Sequence, residues 1–188
     1  MAHQFAVLSL GANIPRSYLG HGRLFRRVCR QLSQYGAPVV TASRLYRTAP
    51  WPPGAHAPCY SNAIVIVRAK LSAPSLLRLM LYLELISGRR RSTPNAPRIL
   101  DLDLVDYRGL NISKPSGTDC LWLPHPRMHQ RAFVLAPLCD VWPTWRHPKL
   151  DVTAHQLLKN CDMSGVQILT SHAITGHKTR LFGADVEV

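Results

Sequence analysis

The chain has 188 residues, of which 46% are hydrophobic and 18% are charged, a balance that favours one globular domain and excludes a disordered chain. Its formal net charge of +13 is unevenly placed, because residues 1–83 carry ten Arg and Lys residues and the first acidic residue is Glu84. Such a field attracts polyanions, which include nucleotide phosphates, nucleic acid and acidic membrane surfaces.

The first half of the chain predicts three strands and one helix. A strand over residues 5–10 is followed by apolar residues at helical spacing over 24–32, and Gly36 is expected to end that helix. Further strands are predicted over 39–48 and 60–69. The segment between them is rich in proline, which removes backbone donors and excludes regular structure there.

The second half begins with a helix that Ser72 caps and that ends at Gly88. A strand over 99–107 then leads into a hairpin turn at Arg108-Gly109. The remaining predicted elements are short strands over 110–112 and 121–123 and helices over 133–139 and 152–160.

The order strand, helix, strand occurs twice with short connections. It predicts an α+β fold with a ferredoxin-like antiparallel sheet and helices packed mainly on one face. Residues 1–161 are expected to form a single domain. Residues 162–188 are weakly patterned, and we expect them to be either a mobile tail or an added edge element.

The five cysteines are an odd number and form no C-x-x-C pair. A disulfide framework and a thiolate zinc site are therefore not predicted, and a reducing compartment such as the cytoplasm is expected. The sequence shows neither a secretory leader pattern nor an apolar run of about 18 residues, so no membrane association is predicted.

The most informative segment is Leu100-Asp101-Leu102-Asp103-Leu104. In a strand, alternation directs the leucines to one face and the two aspartates to the other. Neighbouring carboxylates repel each other unless a cation intervenes, and Mg²⁺ is commonly held by one or two carboxylates together with phosphate oxygens and waters. Taken alone, the pattern is common and favours a solvated strand face.

Two basic segments in the same half of the chain favour the magnesium interpretation. Residues 88–98 form a loop that carries Arg89, Arg90, Arg91 and Arg98, and guanidinium groups suit phosphate. Carboxylates for a metal beside cations for phosphate predict a site of nucleotide transfer.

The second basic segment runs from His125 to Phe133. His125 and Arg131 are interpreted as phosphate-binding donors, whereas Arg127 and His129 are expected on a solvated face. The four-residue spacing of the two histidines would suit zinc on a helix. However, the H-E-x-x-H pattern is absent and Pro126 disfavours such a helix, so zinc is not predicted.

A strand end, the proline-rich segment and a returning strand are expected to shape a pocket wall. Asn62 can both donate to and accept from a heterocyclic amide, and Tyr60 offers a stacking face. The chain has no G-x-x-x-x-G-K-[ST] loop and no G-x-G-x-x-G after the first strand. A P-loop is therefore excluded, a Rossmann site is not indicated, and any bound ATP would rely on side-chain cations and metal.

Together these segments resemble the 6-hydroxymethyl-7,8-dihydropterin pyrophosphokinase family over roughly residues 5 to 160. The resemblance rests on Ser9-Leu10-Gly11-Ala12-Asn13, Tyr46-Arg47-Thr48, Tyr60-Ser61-Asn62-Ala63, Glu84 before Gly88-Arg89-Arg90-Arg91, Asn95-Ala96-Pro97-Arg98-Ile99-Leu100-Asp101-Leu102-Asp103, and Pro124-His125 through Arg131-Ala132-Phe133. The P-R-x-L-D-L-D and P-H…R-x-F patterns, in this order and spacing, are highly specific.

The resemblance implies transfer of pyrophosphate from ATP to the pterin hydroxymethyl group, with release of AMP, as a step of folate biosynthesis. It implies that Asp101 and Asp103 hold two Mg²⁺ ions and are catalytic together with Arg89 and Arg98. The implied nucleotide-binding residues are Glu84, Arg91, Arg98, Leu104, His125 and Arg131. The implied pterin-binding residues are Gly11, Asn13, Thr48, Ala49, Trp51, Tyr60, Asn62 and Phe133. The expected partners are these small molecules, with no nucleic acid or membrane, and the expected state is a monomer.

Two alternatives stay open at this point. A ferredoxin-like sheet with a strongly basic chain would also suit an RNA-binding module, although the glycine and aromatic pattern of such modules is absent. A binder of pterin or nucleotide without catalysis would carry most of the same residues.

Overall fold

A sheet of six antiparallel strands forms the middle of the molecule. The structure, a computed structural model, describes residues 4–14, 18–50, 58–89, 97–113 and 121–175. Within these ranges the strands are β1 (Phe5–Ala12), β2 (Val39–Ala42), β3 (Tyr46–Thr48), β4 (Tyr60–Arg68), β5 (Asp101–Tyr107) and β6 (Val166–Ile168). The helices are α1 (Tyr18–Gln34), α2 (Ala73–Ile86), α3 (Ala132–Val141) and α4 (Ala154–Lys159).

The strand order confirms the predicted α+β fold. The order across the sheet is β5-β1-β4-β3-β6, and β2 pairs with β4 farther along the same strand. Each of these pairings is antiparallel. With β2 and β3 taken together, the first five strands follow the ferredoxin-like order, in which β1 and β4 are central and β5 lies beside β1.

The two long helices α1 and α2 pack on one face of the sheet, and the two short helices α3 and α4 pack on the other. The side chains of Leu8, Leu10 and Val65 pack with α1 and α2. Those of Val7 and Ile66 point to the opposite face and pack with α3 and α4. Because β1 and β4 are apolar at consecutive positions, they have two faces to bury, and each needs its own helical layer.

Strand β5 has the alternation predicted from its sequence. Leu100, Leu102 and Leu104 are buried in the core beneath α1 and α2. Asp101 and Asp103 therefore point to the other face, the side of the sheet on which α3 lies. They pair across the ladder with Gly11 and Ser9 of β1.

The single strand predicted over 39–48 is divided into β2 and β3 by a bulge. Ala42 is opposite Val65 and Tyr46 is opposite Asn62, so the bulged segment holds one residue more than β4 does. At the bulge the hydroxyl of Ser43 accepts a hydrogen bond from the backbone N–H of Ile64, 2.9 Å away. A side chain thus replaces one backbone partner of the ladder.

The predicted helix ends and turn are confirmed where the structure describes them. The Ser72 side chain accepts from the backbone N–H of Ser75 at the start of α2. Gly36 and Gly88 follow the two long helices with φ of 90° and 92°. Arg108 and Gly109 both have positive φ, as a type I′ hairpin turn requires. Among the described helices, none is long and apolar enough to cross a membrane.

The chain beyond α3 returns to the sheet. Thr153 and Gln156 form a capping box at the start of α4. Strand β6 then pairs with β3, and Ile174 is buried in the core with α1 and α2. The boundary predicted at residue 161 stays a prediction, and residues 176–188 lie outside the described ranges.

Candidate active site

A cavity of about 400 Å³ opens on the face of the sheet that carries Asp101 and Asp103. Strands β1, β3, β4 and β5 form its floor, and the segment that leads into α3 forms its opposite wall. Its lining residues are Ser9, Gly11, Thr48, Ala49, Tyr60, Asn62, Arg98, Asp101, Asp103, His125, Arg127, Arg131 and Phe133.

The floor of the cavity depends on a glycine in the central strand. Gly11 lies between Asn62 of β4 and Asp101 of β5 in the strand register. A Cβ atom at this position would be 3.4 Å from Asn62 Oδ1 and 3.7 Å from the Cβ atom of Asp101. Glycine therefore leaves open the space between an amide at one end of the cavity and a carboxylate at the other.

Asp101 lies between two arginines. Its carboxylate oxygens are 2.8 Å from an Arg89 guanidinium nitrogen and 2.7 Å from one of Arg98. Arg89 also forms an ion pair with Glu84, whose side chain is buried and also accepts a hydrogen bond from the backbone N–H of Leu102. Burial raises the pKa of Glu84 above its usual range, with the Leu102 hydrogen bond and the Arg89 charge opposing this effect.

Asp103 has less positive charge close to its carboxylate than Asp101 has. Its nearest cationic nitrogen among the described ion pairs, on Arg131, is 3.9 Å away. Desolvation raises the pKa of Asp103, and the negative charge of Asp101 raises it further. Desolvation also lowers the pKa of His125 and of Arg131. With 40% of its side chain exposed, Asp103 is accessible to a ligand that brings positive charge.

The other end of the cavity has groups suited to a flat heterocycle. Asn62 Nδ2 donates to Thr48 Oγ1 over 2.7 Å, and both side chains are buried. This orientation leaves Asn62 Oδ1 as an acceptor and the Thr48 hydroxyl hydrogen as a donor. Tyr60 and Phe133 supply rings to the same cavity, and the Arg131 guanidinium lies 5.3 Å from the centre of the Phe133 ring.

Helix α3, whose first turn carries Phe133, is held to the sheet by an ion pair. The Asp140 carboxylate accepts from the Arg44 guanidinium at 2.7 and 3.0 Å and from the Arg44 backbone N–H at 2.9 Å. Arg44 belongs to the bulge between β2 and β3. The bulge therefore fixes the position of the helix that forms one wall of the cavity.

The cavity brings together eleven of the residues singled out from the sequence: Gly11, Thr48, Ala49, Tyr60, Asn62, Arg98, Asp101, Asp103, His125, Arg131 and Phe133. Four others do not line it. Asn13 instead contacts the backbone of Arg98, Leu104 is buried in the core, and Arg89 and Glu84 pair beside Asp101. Trp51 and Arg91 lie outside the described residues.

Two lining residues were missed by the sequence analysis. Arg127 was expected on a solvated face, and it is exposed, but it also lines the cavity. Ser9 lies opposite Asp103 in the strand register. Alternation along β1 from Gly11 would have predicted the position of Ser9, whereas Arg127 belongs to an irregular segment whose direction only the structure shows.

Comparisons with known proteins place the chain in a family. Residues 7–143 match the sequence model of 7,8-dihydro-6-hydroxymethylpterin-pyrophosphokinase (HPPK). The chain is 37% identical over 161 residues to a 2-amino-4-hydroxy-6-hydroxymethyldihydropteridine pyrophosphokinase from Synechocystis sp., covering 86% of this chain and 78% of the relative. Identity to the enzyme of the same name from Methylorubrum extorquens is 33% over 165 residues, covering 86% of this chain and 96% of the relative.

Solved structures show the same fold. The Plasmodium falciparum HPPK-DHPS crystal structure with SDX-DHP has a TM-score of 0.68 at 16% identity and covers 83% of this chain. This chain spans 44% of that solved chain. The protein described here belongs to the 7,8-dihydro-6-hydroxymethylpterin-pyrophosphokinase family. The prediction made from the motifs is confirmed, and with it the class of enzyme, a pyrophosphokinase of folate biosynthesis.

Proposed function

We propose that the cavity lined by Asp101, Asp103 and Asn62 transfers pyrophosphate from ATP to 6-hydroxymethyl-7,8-dihydropterin. The hydroxymethyl oxygen forms a bond to the β-phosphorus of ATP and loses its proton, the bond between the α,β-bridging oxygen and the β-phosphorus breaks, and AMP leaves. The observation that carries the proposal is the meeting, in one cavity, of two carboxylates and several cations with a polar, aromatic-lined end.

The cations at the Asp end are assigned to the phosphates. Arg98, Arg127 and Arg131 line the cavity together with His125, so that a bound triphosphate would have positive charge on more than one side. Phosphoryl-type transfer asks little covalent chemistry of a protein and depends on positioning and charge stabilisation. Fixed cations in a partly desolvated site supply both.

The amide end is assigned to the pterin. Asn62 Oδ1 can accept from a ring N–H, and the Thr48 hydroxyl can donate to a ring acceptor, because their mutual hydrogen bond fixes both orientations. Tyr60 and Phe133 supply the faces between which a flat ring would stack. Gly11 lies on the floor between this end and Asp101, where the hydroxymethyl group would meet the phosphates.

Asp101 and Asp103 fit Mg²⁺ as its protein ligands. Both supply hard oxygen donors from one strand face into one cavity. Among the described residues, no group of three or more His, Cys, Asp and Glu is arranged to enclose a metal. The two carboxylates of Asp101 and Asp103 suit Mg²⁺, which takes few protein ligands and completes its shell with phosphate and water. When bound, two such ions would neutralise phosphate charge and acidify a nearby hydroxyl.

The remaining parts of the proposal concern partners and location. The substrates are small molecules, and the protein is proposed to act as a monomer in the cytoplasm. The odd number of cysteines and the lack of a C-x-x-C pair support a reducing compartment.

The test is an ATP-consumption assay with reduced hydroxymethylpterin and Mg²⁺, in which chromatography separates AMP from ADP. We expect pterin-dependent AMP that EDTA abolishes. Asp103→Asn should remove activity, whereas Asp151→Asn, a matched change at a carboxylate that is 89% exposed, should not.

ADP as the product, or equal activity of the two variants, would overturn the proposal. RNA binding that Asp103→Asn leaves unchanged, without AMP formation, would favour the RNA-binding alternative.

A further inference from the structure

The segment that follows α4 forms part of the molecule behind the cavity wall, although the family match ends at residue 143. Strand β6 pairs with β3 so that Val166 is opposite Thr48 and Ile168 is opposite Tyr46. Since Thr48 and its neighbour Ala49 line the cavity, the segment reaches the proposed pterin end from outside.

The closest approach is between Gly165 and Ala49. The backbone N–H of Ala49 donates to the carbonyl oxygen of Gly165 over 3.1 Å. A Cβ atom at Gly165 would lie 2.8 Å from the Ala49 Cβ atom, closer than real carbon atoms pack, and 3.5 Å from the Ala49 backbone nitrogen. Gly165 is not among the glycines with positive φ. Glycine is therefore required here because there is no room for a Cβ atom, and not because of the backbone conformation.

Ala49 lines two cavities. The second, of about 600 Å³, shares Thr48, Ala49, Arg131 and Phe133 with the first. Residues 160–162 and 164–166 also line this second cavity. A shift of Ala49 therefore changes the shape of the proposed pterin site directly.

The segment that carries Gly165 is itself fixed on both sides. Before it, the Asp162 carboxylate accepts from the backbone N–H and the hydroxyl of Ser164 at 2.8 and 2.9 Å. After it, the backbone N–H of Leu169 donates to the Leu45 carbonyl oxygen at 2.8 Å, and that of Ile174 donates to the Ser43 carbonyl oxygen at 3.0 Å. Gly165 thus meets Ala49 from a held position.

We propose that Gly165 is a positioning residue that sets the width of the pterin end of the cavity through its contact with Ala49. The inference rests on the proposed function, because it assigns this wall to the pterin. A methyl group at residue 165 would push Ala49 toward the ring, and narrowing a well-packed site is costly.

The experiment is steady-state kinetics of Gly165→Ala with pterin and ATP varied separately. We expect the KM for pterin to rise about tenfold while the KM for ATP stays within about twofold, because the contact lies at one end of the cavity.

Combining Gly165→Ala with Ala49→Gly removes the 2.8 Å contact and should restore the KM for pterin toward that of Ala49→Gly alone. Gly22→Ala is the matched control, since its new Cβ atom would meet only Leu45 Cδ2, at 4.0 Å.

The outcomes separate the two proposals. Absence of pterin-dependent AMP from the unmodified protein would overturn the proposed function and this inference with it. Normal activity with an unchanged KM for pterin in Gly165→Ala would overturn the inference alone. Equal increases in both KM values, without rescue by Ala49→Gly, would also overturn it and assign Gly165 a general structural role, which thermal denaturation of the same variants would show.

Discussion

Asn13 holds the backbone of Arg98 across 85 positions of sequence. Its side-chain oxygen accepts from the Arg98 N–H at 2.6 Å, and the N–H groups of Asn13 and Ile14 donate to the Arg98 carbonyl oxygen at 3.0 and 3.2 Å. The Arg98 guanidinium in turn lies 2.7 Å from Asp101. Asn13, expected from the sequence to bind pterin, is therefore placed to position an arginine of the phosphate end.

Asn13→Ala should lower kcat about tenfold and change the KM for pterin little, because Arg98 would lose its fixed position beside Asp101. Steady-state kinetics with both substrates would measure this. Asn111→Ala, at an exposed asparagine, is the matched control. A raised KM for pterin at normal kcat would instead support direct contact of Asn13 with the ring.

Gly11→Val should strongly weaken pterin binding without unfolding the protein. The branched side chain would fill the floor between Asn62 and Asp101, whereas a strand accepts valine readily. We expect affinity to fall by about 100-fold or more, since more than a methyl group would intrude on the ring. Titration followed by pterin fluorescence measures the loss, and circular dichroism checks the fold. Unchanged affinity would mean that pterin binds elsewhere.

Asp140→Asn should reduce the free energy of unfolding by about 2 kcal/mol, because it removes the charge that the Arg44 fork and backbone N–H both contact. Urea denaturation gives the value. The exposed pair of Arg146 and Asp151 provides the comparison, and Asp151→Asn should cost less than about 0.5 kcal/mol. Equal effects of the two changes would show that the Arg44 pair does not anchor α3.

Because of His147, the free energy of unfolding should decrease as the pH is lowered. Desolvation lowers the pKa of His147 below 6.5, and nearby His129 lowers it further. Its Nδ1 accepts from the N–H groups of Lys149 and Leu150, each at 3.2 Å, which requires the neutral ring. Because the unfolded chain binds this proton at a higher pH, the stabilisation is present above pH 6.5 and is lost as the pH falls through the folded pKa.

His147→Asn provides the test, since its amide oxygen can replace Nδ1 as an acceptor without titrating there. Urea denaturation between pH 7.5 and pH 5 should show a smaller loss of stability for the variant than for the unmodified protein. Parallel pH profiles for the two proteins would contradict the assignment to His147.

Local patterns were sufficient for the parts of the fold that local physics controls. The alternation of Leu102 and Asp103 predicted which face each residue of β5 occupies, and Ser72 and Gly88 predicted the ends of α2. Specific motifs also predicted most of the cavity lining, because many of those residues lie in strands whose order is set by the fold.

Features that depend on distant partners were not predicted. The break after Ala42 depends on Ser43 meeting Ile64 and on Arg44 meeting Asp140, 96 positions away. The approach of Gly165 to Ala49 likewise joins segments whose sequences carry no common signal. Which face of the sheet the short helices α3 and α4 cover is likewise set by contacts with distant strands.

The additional residue between β2 and β3 has a consequence for insertions and deletions. Side chains in a strand change face with every one-residue shift. Deleting one residue between Ala42 and Tyr46 would let the two strands fuse into one continuous ladder on β4. Tyr46 would stay opposite Asn62, but the bulge that brings Ser43 to Ile64 and Arg44 to Asp140 would be lost, and with it the anchor of α3. The length of this short segment, as much as its composition, is therefore under constraint, and we expect homologous chains to vary here by substitution rather than by gaps.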